Sequence, residues 1–217
     1  MTAVAIFGGH ASGLLVADSV RVLAASGEPV EVLGFLNDAI AAGDRIGPHR
    51  VLCGFDEWRR LQADVRFLAA FPSPGAARER HARLRALGVP PDRWIAVIDP
   101  AARVSPLARV ARGCFAGPNA VVEHGADIGE HTMVRGGAYV SHDVRVGEFG
   151  FVGPNATLLG RAVCGAGVHV GANAVCREGT VIGDYAMVGI GAVVTADVPA
   201  GAVVAGNPAR VIGDRSP

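Results

Sequence analysis

Hydrophobic positions recur every six residues, without a slip, from residue 98 to residue 199. The first position of these seventeen units reads Ile98, Val104, Val110, Ala116, Val122 and so on to Val194, and the fifth is small throughout, as at Ala102, Thr132, Ala156 and Val198. In a chain that is 50% hydrophobic, an unbroken first-position run arises by chance about once in 10⁵. A period of six fits neither a helix nor a plain alternating strand. It fits a short strand and a corner repeated around a three-sided prism, with eighteen residues to a coil. Coils then hydrogen-bond in parallel at a spacing of ~4.8 Å. The run of 102 residues makes about 5.7 coils of a parallel β-helix, whose end coils need caps.

The first hundred residues carry a different pattern. Residues 3–7 read as a buried strand, 8–13 as a turn and 14–25 as a helix. A second strand spans 30–36 and ends at Asn37 and Asp38; a third lies within 61–71. An Arg-rich helix spans 76–87, and a fourth strand, 94–98, feeds the solenoid. Strands alternating with helices predict a small parallel α/β sheet of Rossmann type, whose ligands sit at the carboxyl ends of the strands. The predicted division is 1–97 and 98–217.

Gly8, Gly9 and His10 follow the first strand and open a helix, where free N–H groups attract phosphate. They do not form GxGxxG, so a plain tight turn fits them as well. Asp38 offers a carboxylate to a ribose or base, or simply ends a strand.

Because the register never slips, residues eighteen apart stack. His124, His142, Gly160 and Glu178 form one column; Gly125, Asp143, Arg161 and Gly179 form the next. His142 therefore has a carboxylate beside it and no side chain above it. Such an imidazole suits a general base, the acid fixing its tautomer, although a solvated His-Asp corner has the same spacing. His124 and His142 would supply two metal ligands, but no third completes a site in register; His131 falls on another side. His81 and His169 read as surface residues. The column Gly117, Arg135, Gly153, Gly171 and Gly189 leaves a stripe for a thin ligand, or serves the turns alone. Phe115, Met133 and Phe151 stack outside as an apolar column that needs covering, which predicts a homotrimer.

Composition narrows the classes. Twenty acidic and twenty basic residues cancel, every basic residue is Arg, and no like-charge block appears, so neither nucleic acid nor a membrane surface is an expected partner. The apolar N-terminus lacks a basic flank and carries His10 and Asp18, unlike a signal peptide or a span. Cys53, Cys114, Cys164 and Cys176 form no CxxC pair, and three fall inward, which suggests a reduced, cytoplasmic setting.

The repeats, the opening IDPAARVSPLARV, the segment YVSHDVRVGEFGFVGPNATLLG and the ending GAVVTADVPAGAVVAGNPARVI resemble the left-handed β-helix acyltransferases. With IFGGHA and GFLND in front, the likeness is closest to sugar acetyltransferases of the PglD and NeuD type. It implies a left-handed prism that trimerises with acetyl-CoA between neighbouring β-helices, and a Rossmann-like domain that holds a nucleotide-linked amino sugar. It further implies His142 as general base, Asp143 as its partner acid, and coenzyme contacts at Gly160, Ala172 and Ile190. Gly8, Gly9, His10, Asn37 and Asp38 match the nucleotide-sugar loop. Arg135 replaces a frequent Asn, Phe151 stands where a relative has a coenzyme-contacting His, and AFPSPGAAR lacks a Gly-Asn pattern.

The implied reaction is acetyl transfer, without a metal, to the 4-amino group of a GDP- or UDP-linked 4-amino-4,6-dideoxyhexose. O-acetylation of a sialic-acid-like sugar, a non-catalytic sugar-nucleotide-binding solenoid and a zinc hydratase remain open at this stage.

Overall fold

The six-residue period is realised as seventeen two-residue strands, from Val97–Ile98 to Val193–Val194, in a computed structural model that describes residues 1–70 and 77–215. Up to Val175–Cys176, each strand pairs in parallel with the strand eighteen residues on, as Met133 with Phe151 and Val121 with Tyr139. Three parallel stacks follow, one to each side of a prism. The first side holds strands such as Met133–Val134, the second Tyr139–Val140 and the third Arg145–Val146. The chain turns a first, second and third corner after them. First- and fifth-position side chains fill the axis, Val140, Leu158 and Ala156 among them. The bottom coil is only partly closed, with Val104 and Val110 half-buried. At the top, Ala202–Ala205 extends the first side and Arg210–Asp214 folds back antiparallel on it.

The N-terminal unit runs β1 (Thr2–Gly8), α1 (His10–Ala25), β2 (Val30–Leu36), β3 (Arg45–Ile46), β4 (His49–Cys53), β5 (Arg66–Ala70) and α2 (Ala77–Ala86). The sheet order is β3-β4-β2-β1-β5, parallel except for the β3–β4 hairpin. Alternation along β1 sorts its two faces: Val4 and Ile6 pack with α1, Ala5 and Phe7 with Leu84 of α2. Gly13 brings α1 close to β2, since a Cβ there would lie 2.6 Å from the Phe35 ring.

Three expectations change. Helix α1 starts at His10, shortening the expected 8–13 turn, because Gly9 is already its N-cap. The β3–β4 hairpin was not expected. Residues 94–98 add no sheet strand: Trp94 makes one bridge to Phe67, and Val97–Ile98 is already the first rung of the solenoid. The last residue of the expected third strand, Phe71, the first of the expected helix, Ala76, and most of AFPSPGAAR lie outside the described residues.

The apolar column on the first side is covered by the chain itself. Phe115 and Met133 are buried, and with Phe151 they share a core with Val4, Ile6, Val16, Val20 and Phe35. The exposed surface from which a trimer was expected is therefore an interface inside one chain. Two polar links flank it. Arg135 Nη1 donates to Ser12 Oγ at 2.8 Å, and Ser19 Oγ donates to buried Asp99 at 2.6 Å. Phe151 stacks on His169 at 4.4 Å and faces this core.

On the third corner, α2 inserts His81 into an aromatic stack. His81 lies 4.3 Å from Phe149, Phe149 lies 4.9 Å from His131, and Trp94 meets His131 edge-on at 4.6 Å. Tyr185 closes the far end, 5.8 Å from His81. His131, Phe149 and Tyr185 hold φ of 57°, 56° and 56°, a left-handed conformation costing about 1–2 kcal/mol per residue, which the stack offsets. His81 is thus buried rather than a surface residue, and His169 is half-buried.

Burial pushes the imidazoles of His81, His131 and His169 down to about 4 from 6.5. Arg85, Arg80 and Glu148 face His81; Glu130, Glu148, Arg112 and Arg85 face His131; Arg215 faces His169. A depressed pKa means that the unfolded chain takes up these protons first as pH falls. Stability is therefore complete above pH 6.5 and lost progressively down to about 4, by at most about 3 kcal/mol per imidazole. Urea unfolding across this range should show the loss, and replacing His81 and His131 by Phe should shrink it to the part that His169 contributes. An unchanged pH slope in that double variant would contradict the assignment.

Candidate active site

The second corner brings His142 and Asp143 together. Asp143 sits at φ 59°, which Asp tolerates better than most residues, and this turns its carboxylate back onto the preceding ring. His142 Nδ1 lies 3.0 Å from Asp143 Oδ2. An ionised carboxylate only accepts, so Nδ1 carries the hydrogen and Nε2 keeps its lone pair. The hydrogen bond from His142 is the main cause holding the Asp143 carboxyl below its ordinary value. Both side chains remain accessible, at 35% and 56%, as proton transfer to a bound molecule requires.

Two glycines make room for the pair. A Cβ at Gly125, one coil below, would lie 2.2 Å from Asp143 Oδ1; a Cβ at Gly160, one coil above, would lie 2.5 Å from His142 Nε2. Gly160→Ala should push the imidazole aside, leave the fold intact, and cut turnover by about 10²-fold, the cost of misplacing a reacting group by about 1 Å. An unchanged kcat in that variant would mean that Nε2 does not work from this position.

From below, the His124 ring stacks on His142 at 5.7 Å. Glu123 supports the corner, accepting from the His142 backbone N–H at 3.0 Å, the Ser141 hydroxyl at 3.0 Å and the Tyr139 hydroxyl at 2.7 Å. Sequence reasoning missed Glu123, although it lies eighteen residues before Ser141 in the same register. No cluster of three His, Cys, Asp or Glu side chains suited to a metal occurs among the described residues.

The expected coenzyme contacts fall on two edges. Gly160 shares the second corner with His142, whereas Ala172 and Ile190 lie on the first corner, one prism side away; Ile190 is 79% exposed. The glycine stripe is not a ligand shelf. A Cβ at Gly153 or Gly171 would lie 2.7 Å from the backbone N of Ala172 or Ile190, so coil stacking excludes side chains there.

The expected nucleotide loop assembles at the carboxyl ends of β1 and β2. Asn37 Nδ2 donates to the Gly8 carbonyl at 2.8 Å, while its Oδ1 accepts from the N–H groups of Ala39 and Ile40. Gly9 caps α1 without a side-chain bond, and His10, the first helical residue, is exposed. Asp38 accepts from the Phe55 N–H at 2.7 Å and pairs with Arg83 at 3.2 Å, beside a cavity of about 310 Å³ lined by Phe55, Arg83 and Leu84. Arg135, through Ser12, stands at the first turn of this helix. Of the residues given a site role in the sequence, Gly8 and Gly160 are buried and the others are at least partly exposed; they occupy separate regions, the second corner, the first corner and the α/β unit.

No protein-family profile matches the sequence, and no curated protein does. Solved structures match over nearly its whole length. The acetyltransferase domain of PglB from Neisseria gonorrhoeae, in complex with acetyl coenzyme A, is 28% identical with a TM-score of 0.84, covering 97% of this chain and 98% of that one. PerB from Caulobacter crescentus, in complex with CoA and GDP-perosamine, is 26% identical with a TM-score of 0.82, covering 98% of each chain. WeeI from Acinetobacter baumannii, 24% identical with a TM-score of 0.67 over 98% of this chain and 100% of its own, shares the fold.

Proposed function

We infer that the chain is an acyltransferase of the left-handed β-helix sugar-acetyltransferase kind, using acetyl-CoA, and we propose that it acetylates the 4-amino group of a GDP- or UDP-linked 4-amino-4,6-dideoxyhexose. The observation that carries the reading is the His142–Asp143 pair, with Nε2 free at an accessible corner under a glycine. The likeness to PerB, solved with CoA and GDP-perosamine, supports the acceptor class.

Acetyl-CoA supplies the acyl group as a thioester. The sugar amine attacks the thioester carbonyl carbon, forming the N–C bond, and His142 Nε2 takes the proton the nitrogen sheds. The C–S bond then breaks, and the proton passes from His142 to the departing sulfur, leaving an amide and a free thiol. Backbone N–H groups near Gly160 are the proposed donors to the oxygen that carries negative charge between the two events. Asp143 holds the tautomer and steadies the imidazolium. No acyl-enzyme is needed: all four cysteines are buried, and burial drives the thiols of Cys114 and Cys176 up to about 12.

In this reading residues 1–97 form a Rossmann-like domain in which Gly8, Gly9, His10, Asn37 and Asp38 hold the nucleotide. Residues 98–217 form a left-handed prism carrying the chemistry. A coenzyme that touches Gly160 on one edge and Ala172 and Ile190 on another fits between two chains, and exposed Leu107, Leu159, Val181 and Ile190 leave apolar surface for such a contact. A cytoplasmic homotrimer is the proposed form; among the described residues no helix is long and apolar enough to cross a membrane.

The reading is tested by acetyl-CoA turnover with a GDP- or UDP-linked amino sugar in excess chelator, alongside light scattering at micromolar concentration. Sugar-dependent turnover unaffected by chelator, from a trimer, is expected. Turnover abolished by chelator would favour a metal enzyme, and a monomer would remove the two-chain site.

A further inference from the structure

Beside the candidate base lies a cavity that the reaction as described does not use. It holds about 480 Å³ on the second side and second corner, in the coils at and below His142, and Arg103, Ser105, Glu123, His124 and Tyr139 line it. Its wall is continuous with the support of the base. Glu123 receives the His142 N–H, and the His124 ring lies directly beneath the His142 ring. The residues proposed to meet the coenzyme lie on higher coils, Gly160 one above His142 and Ala172 and Ile190 above that. An acyl donor approaching from the upper coils leaves the lower ones for the acceptor.

We propose that this cavity seats the hexose of the acceptor, with Glu123 as the counter-charge that selects an amino sugar over a hydroxyl sugar. The proposal rests on the acetyl-transfer reading and narrows it. A sugar amine is largely ammonium near neutral pH, and a carboxylate in the cavity wall draws that form in. The Tyr139 hydroxyl first, then the Ser141 hydroxyl and the His142 N–H, hold the Glu123 carboxyl below its ordinary value, so it is ionised at neutral pH. Each of its oxygens retains acceptor capacity beyond these three bonds. The arrangement disfavours a sialic-acid-like acceptor, whose own carboxylate would face Glu123. Arg103, the cation of the wall, pairs in register with Val121 and lies two coils below Tyr139. Because Glu123 favours the ammonium, it acts on capture rather than on the chemical step, and its effect belongs in KM.

The test uses the full chain, acetyl-CoA and a nucleotide-linked 4-amino-4,6-dideoxyhexose together with its 4-hydroxy counterpart. Glu123→Gln should raise the KM for the amino sugar by about tenfold, as for one lost charge-assisted hydrogen bond. The KM for acetyl-CoA and the pH profile of kcat should stay in place, and the preference for amine over hydroxyl should shrink by a similar factor. Tyr139→Phe, which keeps the carboxylate, should raise the sugar KM less. An unchanged sugar KM, a fall in kcat alone, or an equal rise in Tyr139→Phe would overturn the assignment, Glu123 then acting only through the backbone of His142. A wild-type chain inert toward every nucleotide amino sugar would remove the acetyl-transfer reading and the pocket with it. An active wild type with an unaltered Glu123→Gln KM removes the pocket alone.

Discussion

His142→Asn should lower kcat by about 10² to 10⁴ at saturating acetyl-CoA, the usual contribution of a general base, equivalent to about 3–5 kcal/mol of barrier. Coenzyme binding and far-ultraviolet circular dichroism should be retained, because the ring stacks on His124 at an accessible corner, outside the packed axis of the prism. Asp143→Asn should cost less, since it orients the imidazole through the 3.0 Å contact to Nδ1 and takes no proton itself. His124→Asn, with Gly125 in place of a neighbouring acid, should cost least. The order discriminates between mechanisms. Equal losses at His124 and His142 would point to two histidines acting as one unit, as ligands do. An unchanged rate in His142→Asn would return the His-Asp corner to solvated surface.

Phe115→Ala should destabilise the chain by about 3–5 kcal/mol. The side chain is 1% exposed and packs in the core shared by the solenoid and the α/β unit. Unlike a catalytic substitution, it acts on two regions at once, because the same ring closes the first side and seats α1. Leu107→Ala, 76% exposed in the chain, is the control, and in the monomer should stay within about 0.5 kcal/mol. Urea unfolding followed by Trp fluorescence checks both. A loss below about 1 kcal/mol at Phe115 would mean that the two regions do not share this core.

The solenoid was legible because a strict six-residue period dictates register, and register dictates columns. The stacking of His124 under His142, with Gly160 above, follows from residue spacing alone. The His142–Asp143 contact was legible for the same reason, being local. What a column cannot tell is who covers it. Phe115, Met133 and Phe151 announced a buried surface, and the sequence held nothing to decide between another chain and the chain's own α1. The links Ser12–Arg135 and Ser19–Asp99 join residues 123 and 80 positions apart, with no periodicity between them. His81 looked like a polar position on an Arg-rich helix. It is buried because α2 meets a corner where Phe149 and Tyr185 adopt left-handed backbone, a conformation that bulky residues seldom signal. The β3–β4 hairpin was hidden for a simpler reason: two residues in one strand and an Arg and a His in the other leave too little alternation to read. Glu123 was passed over because its importance lies in three donors that converge from the next coil, two of them side chains whose direction the spacing does not give.

The most direct measurement is the initial rate of thiol release from acetyl-CoA across a panel of GDP- and UDP-linked 4-amino-4,6-dideoxyhexoses and their 4-hydroxy counterparts, with the mass of the sugar product determined in parallel. Release that depends on an amino sugar, and yields a product heavier by one acetyl group on nitrogen, is the predicted result. Release that is the same with and without sugar, or that occurs only with a hydroxyl acceptor, would contradict the assignment.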